Sequence, residues 1–478
     1  MKRAVLILLM YVLGLPMSNA QKLLMSDKED FNLRFDDFSV IGNFNQAIAV
    51  YRKRDSKVEI ILYNKNMQKI KSIPLDFIDE RYSQIFFSSQ EESIQVFYQQ
   101  KENKKENLYA VSINKDYTHT EPIQLQSLTA GVGLRDRLEY HRETSENGNY
   151  HVLYTSYYLD GAWVLQAVVV DNKLQEQNRI SQLFSEKDWV IRDDVALSNA
   201  GTLFMVTTEK PSSKGSTDEI KILTSKIHSN QFIAYPIALN KHTVSDLHFI
   251  MDNTNTMAYL CGFYSDGKYS TPRGIYYTAF DEETQLAPMS HFVSLALQVS
   301  STRDDLKDLT LRNISIKKDG GIELIAEKYY QNVRTISAPN PVMNIGMMSM
   351  PDNSRTINEY YYDEAVFFNI KPDGTLAWSQ TMLKEQQTND DAGIYSSIGV
   401  LEHKLGKVIL FNDVNSRQPR LMTCYISSNS ELSMKELQTS EEMNEWNWMP
   451  RSSKQLSKSE IVVPCIMKSY LCFLKISF

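Results

Sequence analysis

Residues 57–63 read KVEIILY, and this short pattern of alternating, β-branched and aromatic residues returns along the whole chain. It recurs as NLYAVSI from Asn107, AWVLQAVVV from Ala162, EIKILTS from Glu219 and GIYYTAF from Gly274. EAVFFNI from Glu364, RLMTCYI from Arg420 and YLCFLKI from Tyr470 complete the series. The starting points lie 50, 55, 57, 55, 90, 56 and 50 residues apart. Period-two alternation with β-branched and aromatic side chains is the signature of a half-buried strand. A constant spacing of such strands marks one structural unit used repeatedly.

Each member has a strand-like partner before it, such as QAIAVYR, SIQVFYQ, TLFMVTT or KVILF. Seven of the eight run into a polar turn, for example Asn64-Lys65-Asn66 or Lys371-Pro372-Asp373-Gly374. Asn, Asp and Gly suit these turns because they bond locally and accept left-handed dihedrals. A further strand then follows, as in KIKSIPL, EPIQLQS and LAWSQTM. A unit of four antiparallel strands cannot bury both faces alone, so neighbours must stack. The pattern predicts an all-β fold, a β-propeller of four-stranded antiparallel blades, with eight blades expected and seven as the alternative. The eighth unit ends on its third strand at Phe478. Residues around Gln21 to Ser26 are expected to supply its missing outer strand and close the ring.

Ahead of that strand, Lys2 and Arg3, the apolar run Ala4 to Leu15 and the small residues Ser18-Asn19-Ala20 have the grammar of a secretory signal. Residues 1–20 therefore read as a signal peptide, and residues 21–478 as a single propeller domain with an insertion at about 331–361. The run is too short to span a bilayer, and no later apolar stretch is long enough. The expected location is the periplasm, the cell surface or the extracellular space. The formal net charge is −7 over the full sequence. Losing Lys2 and Arg3 makes it more negative still, which argues against nucleic acid as a partner.

The stretch of about residues 321–413 resembles an uncharacterised family of exported bacterial β-propeller-like repeat proteins. GIELIAEKYY, YYYDEAVFFNIKPDGTLAWSQTMLKEQ, NDDAGIYSSIGV and KVILFND carry the resemblance. It implies export and β-repeats, and it brings no catalytic residues. Within it, DGTLAW (373–378) is also similar to the tryptophan turn of quinone-dependent dehydrogenase propellers. There the motif recurs blade after blade; a single copy implies a tryptophan packed between blades.

Sequence motifs for common catalytic and metal sites are missing: there is no HExxH, GxSxG, CxxC, P-loop or GxGxxG. No metal and no cofactor are expected. His242 and His248, the closest histidine pair, are spaced as on one strand face about 20 Å apart by the rise per residue, too far to share an ion.

Charged clusters read as connections between one unit's last strand and the next unit's first. They include Arg81, Arg137, Arg192 with Asp193 and Asp194, Arg303 with Asp304, and Asp390 with Asp391. In a propeller such connections share one rim around the channel mouth. Arg and carboxylates converging there would hold a ligand by charge-assisted hydrogen bonds.

The insertion emerges on the same rim, and Met343, Met347, Met348 and Tyr360 give it apolar surface for a partner. These features predict a non-catalytic binding or scaffold propeller of the cell envelope, its partner an envelope protein or glycan. The alternative is a glycan-acting enzyme, a glycoside hydrolase or lyase, using Asp193, Asp304 and Asp390.

The four cysteines are too few for a disulfide framework. In VVPCIMKSYLCFLKI a tight turn at Lys468-Ser469 sets Cys465 opposite Cys472. That placement is compatible with a disulfide in an oxidising compartment, or with two core thiols. Pro464 fits such a strand only at an edge or a bulge.

Overall fold

Every member of the repeated series is the third strand of a four-stranded antiparallel sheet, and the chain forms eight such sheets. The computed structural model describes residues 21–478 except 81, 130–137, 160, 185–188, 211–214, 286–288, 296–305, 338–353, 415–419, 438–442 and 444. Blades 1 to 7 span residues 37–74, 82–129, 141–184, 189–237, 243–294, 309–382 and 398–436, each with its strands in sequence order. Blade 8 takes residues 447–477 and borrows its outer strand from the other end of the chain. Lys22–Met25 pairs antiparallel with the last strand, Lys22 facing Ser477 and Met25 facing Leu474. Glu29–Asp30 continues that edge opposite Tyr470 and Leu471.

Ring closure is visible in the core. Eight hydrophobic clusters fill the junctions between successive blades. Phe204 and Val206 of blade 4, for example, meet Leu260 and Phe280 of blade 5. Another cluster joins the last blade to the first, with Val462 and Phe473 against Val50 and Tyr63. The central strands thus bury one face against each neighbouring blade, which is why they read as nearly continuous apolar runs. Among the described residues no helix is long and apolar enough to cross a membrane.

The 90-residue gap in the series has a structural cause. The second and third strands of blade 6 run on as Ile322–Ser337 and Ser354–Ile370, and their ladder continues from Tyr330 opposite Tyr361 to Ser337 opposite Ser354. The expected loop is therefore a protruding hairpin arm over 331–337 and 354–361. Tyr330 and Tyr361 stack at its base, with ring centroids 4.7 Å apart. Gln386–Asn389 adds a third strand beside the arm.

The turn at Lys468-Ser469 has the expected register, Met467 opposite Tyr470 and Cys465 opposite Cys472. Both thiols are free and buried, and Cys465 Sγ donates to the Cys472 carbonyl at 3.4 Å. Pro464 is accommodated because the inner strand of blade 8 is broken at that level. Its two pieces, Asn447–Trp448 and Lys454–Ser457, flank a 3-10 turn at Pro450–Ser452. The missing N–H of Pro464 therefore faces a gap in the ladder. Burial holds all four thiols above the ordinary range, Cys424 up to about 11 and Cys472 up to about 12. The folded protein is thus expected to resist alkylation at pH 8 and to take up four labels once unfolded. Fast labelling of Cys472 in the native state would show that the closing strand frays.

Candidate functional site

The innermost strands of blades 1, 2, 4, 5 and 6 each slip register against their neighbours part-way along their length. Such bulges re-aim side chains out of the ladder. In blade 4 the slip falls between Ile191 and Val195, so Arg192, Asp193 and Asp194 belong to the inner strand Trp189–Leu197. They are not a connection between blades, as their charge suggests in the sequence. The register slip takes this stretch out of the regular ladder, and Arg192 and Asp194 line a cavity there. In blade 5 the bulge holds Asp246, whose φ of 51° lies in the left-handed region.

These bulges build a small charged constellation across three blades. His248 Nδ1 donates to Asp194 Oδ2 at 2.6 Å, and Nε2 donates to Asp246 Oδ1 at 3.2 Å. The remaining oxygens tie the blades together. Asp194 Oδ1 accepts the Phe249 N–H of blade 5 at 2.8 Å, and Asp246 Oδ2 accepts the Leu311 N–H of blade 6 at 2.5 Å. Gln84 does the same between blades 2 and 3, accepting the Tyr140 N–H at 2.7 Å.

Burial opposes a charge on His248. The hydrogen bonds to Asp194 and Asp246, and the negative charge of both carboxylates, outweigh that and raise its pKa to about 9. The imidazolium is then the resident form at neutral pH, with both nitrogens donating. Because the folded pKa exceeds the ordinary value of about 6.5, the stabilisation is complete below that pH and is lost as pH rises through 9. An NMR titration is expected to show His248 deprotonating near 9, and Asp194→Asn is expected to move that transition toward neutrality. A midpoint unchanged by D194N would separate Asp194 from the shift.

Two cavities of about 260 and 430 Å³ adjoin this constellation and share Asp194 and His248 as walls. Arg192 lines one and Arg312 the other. Arg312 Nε donates to Glu327 at 2.9 Å, and its guanidinium lies over the rings of Tyr329 and Tyr362. Arg192 lines the larger cavity and forms no ion pair with another described side chain. Among the described residues no group of three or more metal-ligating side chains is assembled.

Of the other residues singled out in the sequence, Asp390 lies against the arm. It accepts the Asn358 N–H at 2.9 Å and pairs with Arg355 at 3.4 Å. Those contacts hold its carboxyl below the usual range, the Asn358 N–H contributing most. Tyr360 sits in the arm opposite Gln331 and Thr388. Arg81, Arg137, Arg303, Asp304, Met343, Met347 and Met348 lie outside the described residues, as does the Asp193 side chain. Asp246 and Arg312 are the site residues that sequence reading missed, and in the sequence His248 stands out only as half of a histidine pair too widely spaced to share an ion. Their only signal is a charged or polar residue inside a run otherwise patterned as strand.

No protein-family model matches the chain, and no curated protein matches it. Solved structures similar to it include prolyl oligopeptidase B from Galerina marginata, at 7% identity over 91% of this chain with a TM-score of 0.43. This chain spans 56% of that enzyme's length. The β-propeller domain of the Trilobed protease from Pyrococcus furiosus matches at 10% identity, covering 85% of this chain and 99% of that one, with a TM-score of 0.39. The Nup133 β-propeller domain of Vanderwaltozyma polyspora matches at 13% identity, covering 97% and 99%, with a TM-score of 0.36.

Proposed function

We propose that this chain is an exported, non-catalytic binding or scaffold propeller of the cell envelope. It takes a ligand or partner where the channel mouth and the hairpin arm lie on one rim. Export rests on the signal-peptide grammar of residues 1–20 and on the resemblance over residues 321–413. The binding reading rests on one observation: Asp194 and Asp246 each tie His248 to a neighbouring blade's N–H and so fix the wall beside Arg192. Carboxyl groups held in this way serve as cross-ties. A glycan-acting enzyme needs two carboxyls free for acid–base or nucleophilic work, roughly 5–9.5 Å apart. Arg192, beside those ties, is the group whose donors suit a carboxylate or a sugar hydroxyl.

The register of the arm supplies a clean test. Gln331 and Tyr360 face each other, so residues 332–359 are replaceable by an Asn-Gly turn without disturbing the ladder below. The shortened protein is expected to melt as the parent does and to lose the partner that the parent retains from envelope extract. Arg192→Ala is expected to weaken that capture without changing the melting temperature. Capture unaffected by either change would remove this rim from the function.

A further inference from the structure

The opposite rim carries a further cavity, in the junction between blades 6 and 7. In each blade the turn joining the first two strands and the turn joining the last two lie at the end away from the arm. Here the turn at His403–Gly406 and the end of the third strand at Ile426–Ser428 form one wall. The facing wall comes from blade 6, with Glu323, Phe368 and Trp378. The space is about 360 Å³, within the roughly 300–1,000 Å³ of small-ligand pockets.

Backbone geometry keeps it open. Gly406 stands against the Ile426 carbonyl so closely that a Cβ there would lie 2.0 Å from that oxygen. Only glycine lets the hairpin fold back to this depth. Leu405 is 70% exposed at the lip, and the half-buried Trp378 presents its indole as an apolar wall.

Polar groups sit beside that wall. Lys407 is buried and spends its donors on Glu402, on Asn313 at 3.2 Å and on Ser315 at 2.5 Å, with Glu323 3.6 Å away. Glu323 also accepts from Asn369 at 3.1 Å. Lys407 anchors these carboxylates, and each retains lone pairs, since a carboxylate has about four acceptor sites. Lys404 at the lip balances the second carboxylate, so the Lys and Glu side chains of the lining sum to zero charge. A charged ligand gains little from such a field. A neutral ligand with one apolar face and hydroxyls around its edge gains stacking on the indole and charge-assisted O–H···carboxylate bonds.

We infer that the cavity between blades 6 and 7 is a saccharide subsite, in which a neutral pyranose stacks on Trp378 and donates hydroxyls to Glu323 and Glu402. It is independent of the channel site and lies on the other rim. The experiment is saturation-transfer NMR on the full chain with methyl glucopyranoside, methyl galactopyranoside and N-acetylglucosamine, with glucuronate and glucosamine as charged controls. At least one neutral sugar is expected to show transfer and the charged pair much less. Trp378→Ala is expected to abolish it. Ser428→Trp, which plugs the mouth from an exposed position and leaves the core intact, is expected to do the same. Arg192→Ala on the other rim is expected to leave it unchanged. No transfer to any neutral sugar, transfer retained in both pocket variants, or transfer only to a charged sugar would overturn the assignment.

Discussion

Removing residues 21–31 is expected to open the ring and to cost the protein most of its stability. This segment is the outer edge of blade 8, and it also reaches across to blade 1. Ser26 exchanges hydrogen bonds with Phe473, and the Phe31 N–H donates to the Ser469 carbonyl at 2.7 Å. The Phe31 ring, only 5% exposed, meets Phe38 edge-on at 5.4 Å, and Phe38 in turn meets Phe473. Glu29 pairs with the buried Arg52 of blade 1, whose Nη2 also donates to the Asp30 carbonyl at 2.8 Å.

Deletion strips the last strand of its partner and leaves an unpaired edge. It also leaves Arg52 buried without its carboxylate, a loss of about 3–5 kcal/mol for a broken buried pair. Losing the Phe31 side chain adds about 3–5 kcal/mol on the scale of buried Phe→Ala changes. Together these approach the whole stability of a typical protein, about 5–15 kcal/mol. The truncated chain is expected to be insoluble or to unfold at much lower urea. Phe31→Ala, which keeps the strand, should move the urea midpoint measurably in the same direction. Equal midpoints for parent and truncation would show that the pairing at the closure contributes nothing.

The second large effect is expected at Glu327 and Lys384. Their side chains are 0% and 1% exposed, and Lys384 Nζ lies 2.7 Å from Glu327 Oε1. Lys384 also donates to the Tyr362 carbonyl at 3.0 Å and to Gln386 at 2.7 Å, while Ser397 and Arg312 serve the other Glu327 oxygen. Burial pushes the Lys384 ammonium down from its ordinary pKa, and Glu327 pulls it back. The network joins the second strand of blade 6, through the segment just past its fourth strand, to the start of blade 7 at the foot of the arm.

Lys384→Ala removes the cation from Glu327 Oε1 and leaves the buried carboxylate only Arg312 as a counter-charge, and is expected to cost about 3 kcal/mol in chemical denaturation. The double change Glu327→Gln with Lys384→Met removes that pair and keeps an amide oxygen for the part-exposed Arg312, and is expected to cost less than the single one. If the two variants lose the same stability, the pair acts through packing volume and not through charge.

The period of the third strands was legible because each strand is packed on both faces, and double burial writes an uninterrupted apolar run into the local sequence. The closing strand was legible by its absence from the eighth unit. Other features had no local signature. Arg192-Asp193-Asp194 look like a turn, since nothing nearby announces that they lie at a bulge inside the strand Trp189–Leu197. The arm residues 331–337 and 354–361 lack strict alternation because they protrude beyond the blade-to-blade core. Asp194 and Phe249 are 55 residues apart, and Glu327 and Lys384 are similarly remote. Sequence alone determined the repeating strand and pointed to eight units and to the source of the closing edge, because burial is a property of each residue in its own strand, and the sheets settle the count at eight over seven. Only the tertiary structure decided which charges meet and which cavities exist. Those follow from one blade's rotation against the next, which brings residues one full repeat apart into contact.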